Sequence, residues 1–234
     1  MSARGRKRAE GTPLSRSVED YLKAVYGLTE EGEAATTSGL AARLGLSPAA
    51  VTGMVKKLTE GGHLEHSPYR GVRLTASGRR AALAIVRRHR VLETYLITKL
   101  GYDWASVHGE AERLEHAASE DLVDRMAVAL GEPRYDPHGA PIPTREGEIE
   151  RPVLRPLAEV EVGEPVSLRQ VSDDDPDRLR YLKAMGLVPG TALLVAVKQP
   201  FGGPITLFLG GPGGPERVIG AELAAALLVG AASR

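Results

Sequence analysis

TTSGLAARLGLSPAAVTGMVKKLTEGG, residues 36–62, decides how this chain is read. Thr36 or Thr37 offers a hydroxyl to the unpaired N–H groups that open a short helix, and that helix ends near Gly45. Ser47 and Pro48 then repeat the start signal. One is a side-chain acceptor at the cap, the other a residue with preset φ and no N–H at the first helical position. Val51, Met54, Val55 and Leu58 recur at helical spacing as a buried stripe, and Gly61–Gly62 stop the helix. Two short helices joined by a Gly-containing turn form a helix-turn-helix. The second helix leaves Ala49, Ala50, Thr52, Gly53, Lys56 and Lys57 on its open face. Small side chains near its N-terminus let the backbone approach base edges, and the lysines fall where phosphates would lie. Thr37, Ser47 and Pro48, at the helix starts, complete the expected DNA-contacting set on that side.

HLEHSPYRGVRLT (63–75) continues as two strand-like runs around a Pro-Tyr-Arg-Gly turn, a hairpin that makes a wing. Arg70 and Arg73 sit where a wing touches backbone or minor groove; His63 and His66 read as surface residues. Upstream, a helix over Ser17–Glu31 places Val18, Tyr21, Leu22, Val25 and Leu28 on one face. Its start, Ser17-x-x-Asp20, resembles a capping box, which gives Asp20 a structural role to set against any metal-binding one. Residues 1–14, with the basic run Arg4, Arg6, Lys7 and Arg8, read as disordered, either reaching DNA phosphates or solubilising the chain.

Downstream, helices are expected over 76–100 and 104–117, with a third starting at Ser119. His89 and Glu93, four apart, share one face of the first. On the second, His108, Glu112, Glu115 and His116 fall within a sector of roughly 100°. Eight residues at ~1.5 Å rise separate His108 from His116 by about 12 Å, too far for one ion and suited to two sites. The alternative is a solvated acidic face with incidental histidines. Leu83, Val86, Leu92, Tyr95 and Leu96 form stripes too apolar for a lone helix pair and suggest a dimer interface. Trp104 reads as a packing anchor.

DPHGAPIPTREGEIERPVLRP (136–156) is a Pro/Gly-rich connection, with His138 as a turn residue. Beyond it, PVSLRQV, TALLVAVKQ and PITLFLGG are short strands between Gly/Pro turns, suggesting a small barrel. The acidic run 173–177 reads as a helix start, and the final Ala/Leu-rich segment is ambiguous.

Composition narrows the class. The 234 residues suffice for two or three small domains. With no cysteine, any metal site must use imidazole and oxygen, and a reducing cytoplasm fits. No apolar stretch reaches a membrane-span length, and no secretory signal opens the chain. The zero net charge hides an asymmetry: residues 1–90 carry 16 Lys/Arg against 8 Asp/Glu, and the remainder carries the opposite excess. A basic part followed by an acidic part suits a nucleic-acid binder with a cation-sensing module. Neither an H-E-x-x-H motif nor a nucleophile elbow is present, so no catalytic residues are assigned.

YRGVRLT after the helix-turn-helix, VRRHR-x2-E, the VHGEAERLEH run and DPHGAPIP occur in an order that resembles the diphtheria-toxin-repressor family of metal-dependent transcriptional repressors. MGLVPGTALLV resembles the FeoA-type SH3-like barrel that many members carry. The resemblance implies a primary metal site of Asp20, Glu112, Glu115 and His116, and an ancillary site of His89, Glu93 and His108. Counting from LVPG places Asp175, then Asp177, nearest the family's tail ligand. Iron-sensing members place Met and Cys where this chain has Asp20 and Glu112, so the chain is similar to the manganese-sensing branch; three carboxylates and one imidazole are a hard donor set suited to Mn²⁺. Lys23 stands where some manganese regulators have a Glu, which argues against their closely spaced two-metal cluster. Gly53 stands where iron sensors have Gln, which leaves the operator open.

The expected fold is therefore mainly α: a winged helix-turn-helix (1–80), a helical dimerisation and metal-binding domain (81–144), a linker (145–156) and a small SH3-like β-barrel (157–234). The expected function is a cytoplasmic, homodimeric, Mn²⁺-activated repressor with two ions per chain. It would bind a palindromic double-stranded DNA operator, with no membrane partner and no small-molecule substrate. Alternatives are an Fe²⁺-dependent repressor, a metal-independent winged-helix regulator and a metallohydrolase fusion.

Overall fold

The computed structural model describes residues 14–30, 35–67, 71–172 and 175–232. Arg70, the N-terminal basic run and Asp173–Asp174 lie outside the described residues. The chain divides into two compact units, one ending at Ile85 and the other starting at Val86.

In the first unit, α1 (Arg16–Thr29) packs on α2 (Thr37–Leu44), which turns into α3 (Pro48–Glu60). The local signals operate as read. Thr36 Oγ1 accepts from Gly39 N at 3.0 Å, Gly45 ends α2 in the left-handed region at φ 64°, and Ser47 Oγ accepts from Ala50 N. β1 (Leu64–Ser67) and β2 (Gly71–Leu74) form the antiparallel wing, Leu64 opposite Leu74. Ala35 adds a bridge to Val72 on the other edge. Leu22, Val25, Tyr26, Leu40, Val51, Leu58, Leu64 and Val72 are buried together in this unit. One expectation fails. Ser15, not Ser17, occupies the N-cap, and Ser17 lies inside the helix, so the capping box with Asp20 does not form. A residue with helical backbone angles cannot turn its hydroxyl back onto the first N–H groups.

α4 (Ala76–Leu100) runs over the expected span. In the second unit its later turns pack with α5 (Val107–Leu114) and α6 (Glu120–Ala129) around Val91, Leu92, Leu96, Val107, Ala111 and Val123. α5 is shorter than expected. The N–H groups of Ala117 and Ala118 both turn back onto the carbonyl of Leu114, at 3.0 Å each. Ser119 then takes the extended conformation that caps α6, accepting from Leu122 N at 3.3 Å. Glu115 and His116 therefore sit in a turn, not on a helix face.

The expected linker is fastened to α6 through Arg145 and Asp124, 2.6 Å apart. β3 (Arg155–Pro156), β4 (Pro165–Gln170), β5 (Ala192–Lys198), β6 (Ile205–Leu209), β7 (Glu216–Ile219) and β8 (Leu228–Ala231) form one antiparallel sheet in the order β3-β8-β4-β5-β6-β7. The barrel expected here does not close among the described residues: β3 and β7 remain edges. β3 is two residues long and ends in Pro156, which has no N–H to extend a ladder. α7 (Pro176–Met185) and α8 (Ala221–Ala226) pack on the sheet, so the ambiguous final segment resolves into a helix turn and a strand. The core of Leu168, Leu179, Leu182, Leu193, Val195, Leu207 and Val229 also takes in Ala105, with Trp104 against it. That is the packing role expected of Trp104.

Candidate metal centre

His89 and Glu93 stand one turn apart on α4, and α5 brings His108 opposite them. His89 Nε2 lies 3.1 Å from Glu93 Oε1 and 3.1 Å from His108 Nδ1; the third side, His108 Nδ1 to Glu93 Oε1, is 3.2 Å. The donors form a near-equilateral triangle. Such a triangle fits one face of an octahedron whose centre lies about 2.2 Å from each donor, between typical Mg²⁺ and Ca²⁺ bond lengths. His89 Nδ1 lies 2.6 Å from Glu115 Oε2. A carboxylate only accepts, so Nδ1 carries a proton, and release of the Nε2 proton to make room for a metal ion would turn a lone pair into the triangle. These contacts are hydrogen bonds in the absence of metal, and a cation replacing their protons would meet three converging donor atoms. These residues fit a divalent metal ion.

Burial raises the affinity of Glu93 for a proton, but its contacts with His108, His138 and His89 outweigh burial and hold the carboxyl well below the usual range. Glu93 is thus charged without metal.

Glu115, fully buried, also faces His116: its Oε1 is 3.5 Å from His116 Nε2. His89 thereby hydrogen-bonds from the triangle to the Glu115–His116 pair, so the two sets named from sequence stay distinct and touch through one hydrogen bond. Glu112 is half-exposed, 3.8 Å from His108 Nε2. Asp20 lies on α1, in the first unit, facing neither bulk solvent nor the deep core. Asp175 accepts from the N–H groups of Asp177 and Arg178 and so caps α7; Asp177 pairs with Arg180. Neither joins the triangle among the described residues.

The surroundings of one residue were not read from sequence. His138 lies in a turn, as expected, and it is 1% exposed, with its Nδ1 3.8 Å from Glu93 Oε2. Burial lowers its basicity, and the Glu93 and Asp136 carboxylates outweigh that, so its pKa is raised. Nothing in its local sequence signals this, because Glu93 is remote along the chain.

On α3, Ser47, Pro48, Ala49, Ala50, Thr52, Gly53, Lys56 and Lys57 are all exposed, with Thr37 half-buried beside them. Among the described residues the Lys56 ammonium meets only a 4.0 Å contact with Glu60, and it is 78% exposed, so it remains available to a phosphate.

Family models cover most of the chain. "Iron dependent repressor, N-terminal DNA binding domain" matches residues 13–72, "Iron dependent repressor, metal binding and dimerisation domain" residues 75–144, and "FeoA domain" residues 155–230. The chain is 33% identical over 229 residues to the iron-dependent repressor IdeR of Mycobacterium tuberculosis, covering 92% of this chain and 97% of that protein. It is 38% identical over 110 residues to the transcriptional regulator MntR of Shouchella clausii, covering 47% and 76%. Among solved structures, a manganese-dependent transcriptional repressor in complex with manganese superposes with a TM-score of 0.83 at 39% identity, covering 92% of this chain and 99% of the other. The apo form of the manganese-activated repressor ScaR gives 0.77 at 32%, covering 91% and 100%.

Proposed function

The chain belongs to the diphtheria toxin repressor family of metal-dependent, DNA-binding transcriptional repressors, and from that premise we propose that it is a homodimeric, cytoplasmic repressor activated by Mn²⁺ at two ions per chain. The observation that carries the metal reading is the triangle of His89 Nε2, Glu93 Oε1 and His108 Nδ1. Manganese is favoured by hardness: Asp20, Glu112, Glu115 and His116, proposed as the primary site, offer three carboxylates and one imidazole, and the chain has no thiolate. Failure of the Ser17 capping box removes the competing role for Asp20. Iron is the second reading, because two imidazoles and one carboxylate on one octahedral face also suit Fe²⁺, and a relative is named iron-dependent.

A bound divalent ion supplies positive charge that offsets the mutual repulsion of these carboxylates. Asp20 transmits the effect, because α1 packs on α2 and on the wing strand β2. Fixing α1 therefore bears directly on the elements that present α3 to DNA. The His89 Nδ1–H to Glu115 bond makes the charge state at one site felt at the other. A change from 1:99 to 99:1 active requires ~5.5 kcal/mol of differential binding, within reach of two ions. Leu114 and Leu122, with Val128 at 66% exposure, leave apolar surface on α5 and α6 for a second subunit.

The test is operator affinity titrated with Mn²⁺, Fe²⁺ and Zn²⁺ in parallel. Activation by Mn²⁺ at the lowest free concentration is expected; equal DNA affinity with and without metal would make the protein a metal-independent regulator.

A further inference from the structure

α3, the helix offered to DNA, is fastened at its far end. Gly62 N donates to Thr59 O at 3.0 Å and His63 N to Leu58 O at 2.9 Å, so the chain leaving α3 is folded back onto its last turn. Thr75, the residue before α4, takes up the carbonyls of Gly62 and His63. Its N–H donates to His63 O at 3.0 Å. Its hydroxyl donates to Gly62 O at 2.7 Å, with His63 O beside it at 3.2 Å. The same hydroxyl oxygen accepts from Gly78 N at 3.0 Å, which makes Thr75 the cap of α4. One side-chain oxygen thus joins the end of α3 to the start of α4.

Gly78 is buried against this joint. A Cβ added there would stand 2.0 Å from His63 O and 2.9 Å from its carbon. Any side chain would therefore part α4 from the base of the wing, because the atoms opposite are backbone, with no rotamer to yield. α4 runs from this joint past Ile85, where the first unit ends, and carries His89 and Glu93 beyond it. Fourteen residues at ~1.5 Å rise set His89 about 21 Å from Thr75 along the axis. A rigid, hydrogen-bonded element of this kind can carry coupling between two sites if both of its ends are held. Whether movement of α4 reaches α3 then depends on a joint of backbone groups and one hydroxyl.

Resting on the metal-activated reading above, we propose that Thr75 is a positioning residue that passes the metal state of the His89–Glu93–His108 triangle along α4 to α3, beside the route through Asp20 and α1. When an ion fixes α4, the Thr75 joint fixes the end of α3 with it. Lys56 and Lys57, near that end, are then held in one register on the DNA. With the joint loosened, α4 can be fixed while α3 still wanders. Gly78 serves the same joint by letting the two backbones meet.

The test measures, on the full-length protein, operator affinity with and without Mn²⁺ and Mn²⁺ affinity with and without operator DNA. Thr75→Val keeps the branched shape and loses the hydroxyl. In it, the factor by which Mn²⁺ tightens operator binding should fall by about tenfold, the order of a cap and a hydrogen bond together. By linkage, the factor by which the operator tightens Mn²⁺ binding should fall equally. Mn²⁺ affinity of the DNA-free protein should stay within about twofold of the parent, because the substitution is remote from the triangle. Thr75→Ser, which keeps the oxygen, should restore both factors, and Gly78→Ala, which forces the joint apart through its backbone, should reproduce the loss. Operator affinity that falls equally with and without Mn²⁺ would make Thr75 a helix cap only and overturn the proposal. Unchanged factors in both Thr75→Val and Gly78→Ala would overturn it as well. A parent protein whose operator affinity ignores Mn²⁺ overturns the metal-activated reading instead.

Discussion

Gly139→Ala is the perturbation that most directly probes how the buried turn is built. Gly139 has φ +90°, and a Cβ placed there would stand 1.8 Å from the carbonyl oxygen of Arg169 and 2.8 Å from its carbon. Ordinary contacts begin at about 3.5 Å, so the turn and the end of β4 must part by more than ~1 Å. Both neighbours are backbone, which has no rotamer to yield. Parting them breaks the Val171 N to His138 O bond of 3.0 Å and disturbs the bonds of His138 and Ala140 to Asp136. One broken and two weakened hydrogen bonds together cost about 2 kcal/mol, and positive φ on an alanine a further ~1–2 kcal/mol. The expected loss is therefore about 3–4 kcal/mol. Urea unfolding followed by the fluorescence of Trp104, the sole tryptophan, reads it where it occurs. With a slope of roughly 2–3 kcal/mol per M, the midpoint should fall by about 1–2 M. Gly53→Ala is the control: its added Cβ meets nothing within 4 Å, and a mid-helix alanine should stabilise by ~0.5–1 kcal/mol. A Gly139→Ala midpoint within ~0.3 M of the parent would refute the close packing of turn against strand.

Asp20→Ala and Glu112→Ala should each abolish metal-activated operator binding while circular dichroism remains that of the folded protein; near-normal Mn²⁺ activation in both would remove them from the primary site. Lys56→Ala should weaken DNA binding across sequences and flatten the log–log salt dependence by about one unit, whereas an unchanged slope means no phosphate contact. In the metal-free protein, the folded pKa of Glu93 lies well below its ordinary value of 4.5. Its charge therefore contributes stability present above that ordinary value and lost as pH falls through the folded one. Glu93→Gln should flatten the acid-unfolding profile below that pH, and profiles that run parallel in the two proteins would contradict the assignment.

The DNA-reading half was legible because its signals are local. The Thr36 and Ser47 caps, Pro48 at the first helical position and Gly45 in the left-handed region are each settled by residues within a few positions. Helical period alone sufficed to place α4 and the His89–Glu93 pair on it. Local rules also misled. Ser17-x-x-Asp20 has the form of a capping box, but the helix had already begun at Arg16. The spacing of His108 through His116 assumed one continuous helix, whereas the need to cap α6 at Ser119 ends α5 at Leu114. The strands of the tail were visible as apolar runs, but closure depends on pairing between ends remote in sequence, and a two-residue edge strand with a proline does not provide it. The candidate metal centre divides the same way. Residue types and the i, i+4 pair came from sequence. The link from His89 to Glu115 and the approach of His138 to Glu93 came from tertiary packing, because lone pairs converge only when distant segments are brought within a few ångströms. Sequence periodicity places a side chain on a face of its own element; the packing of another element against that face decides what it meets.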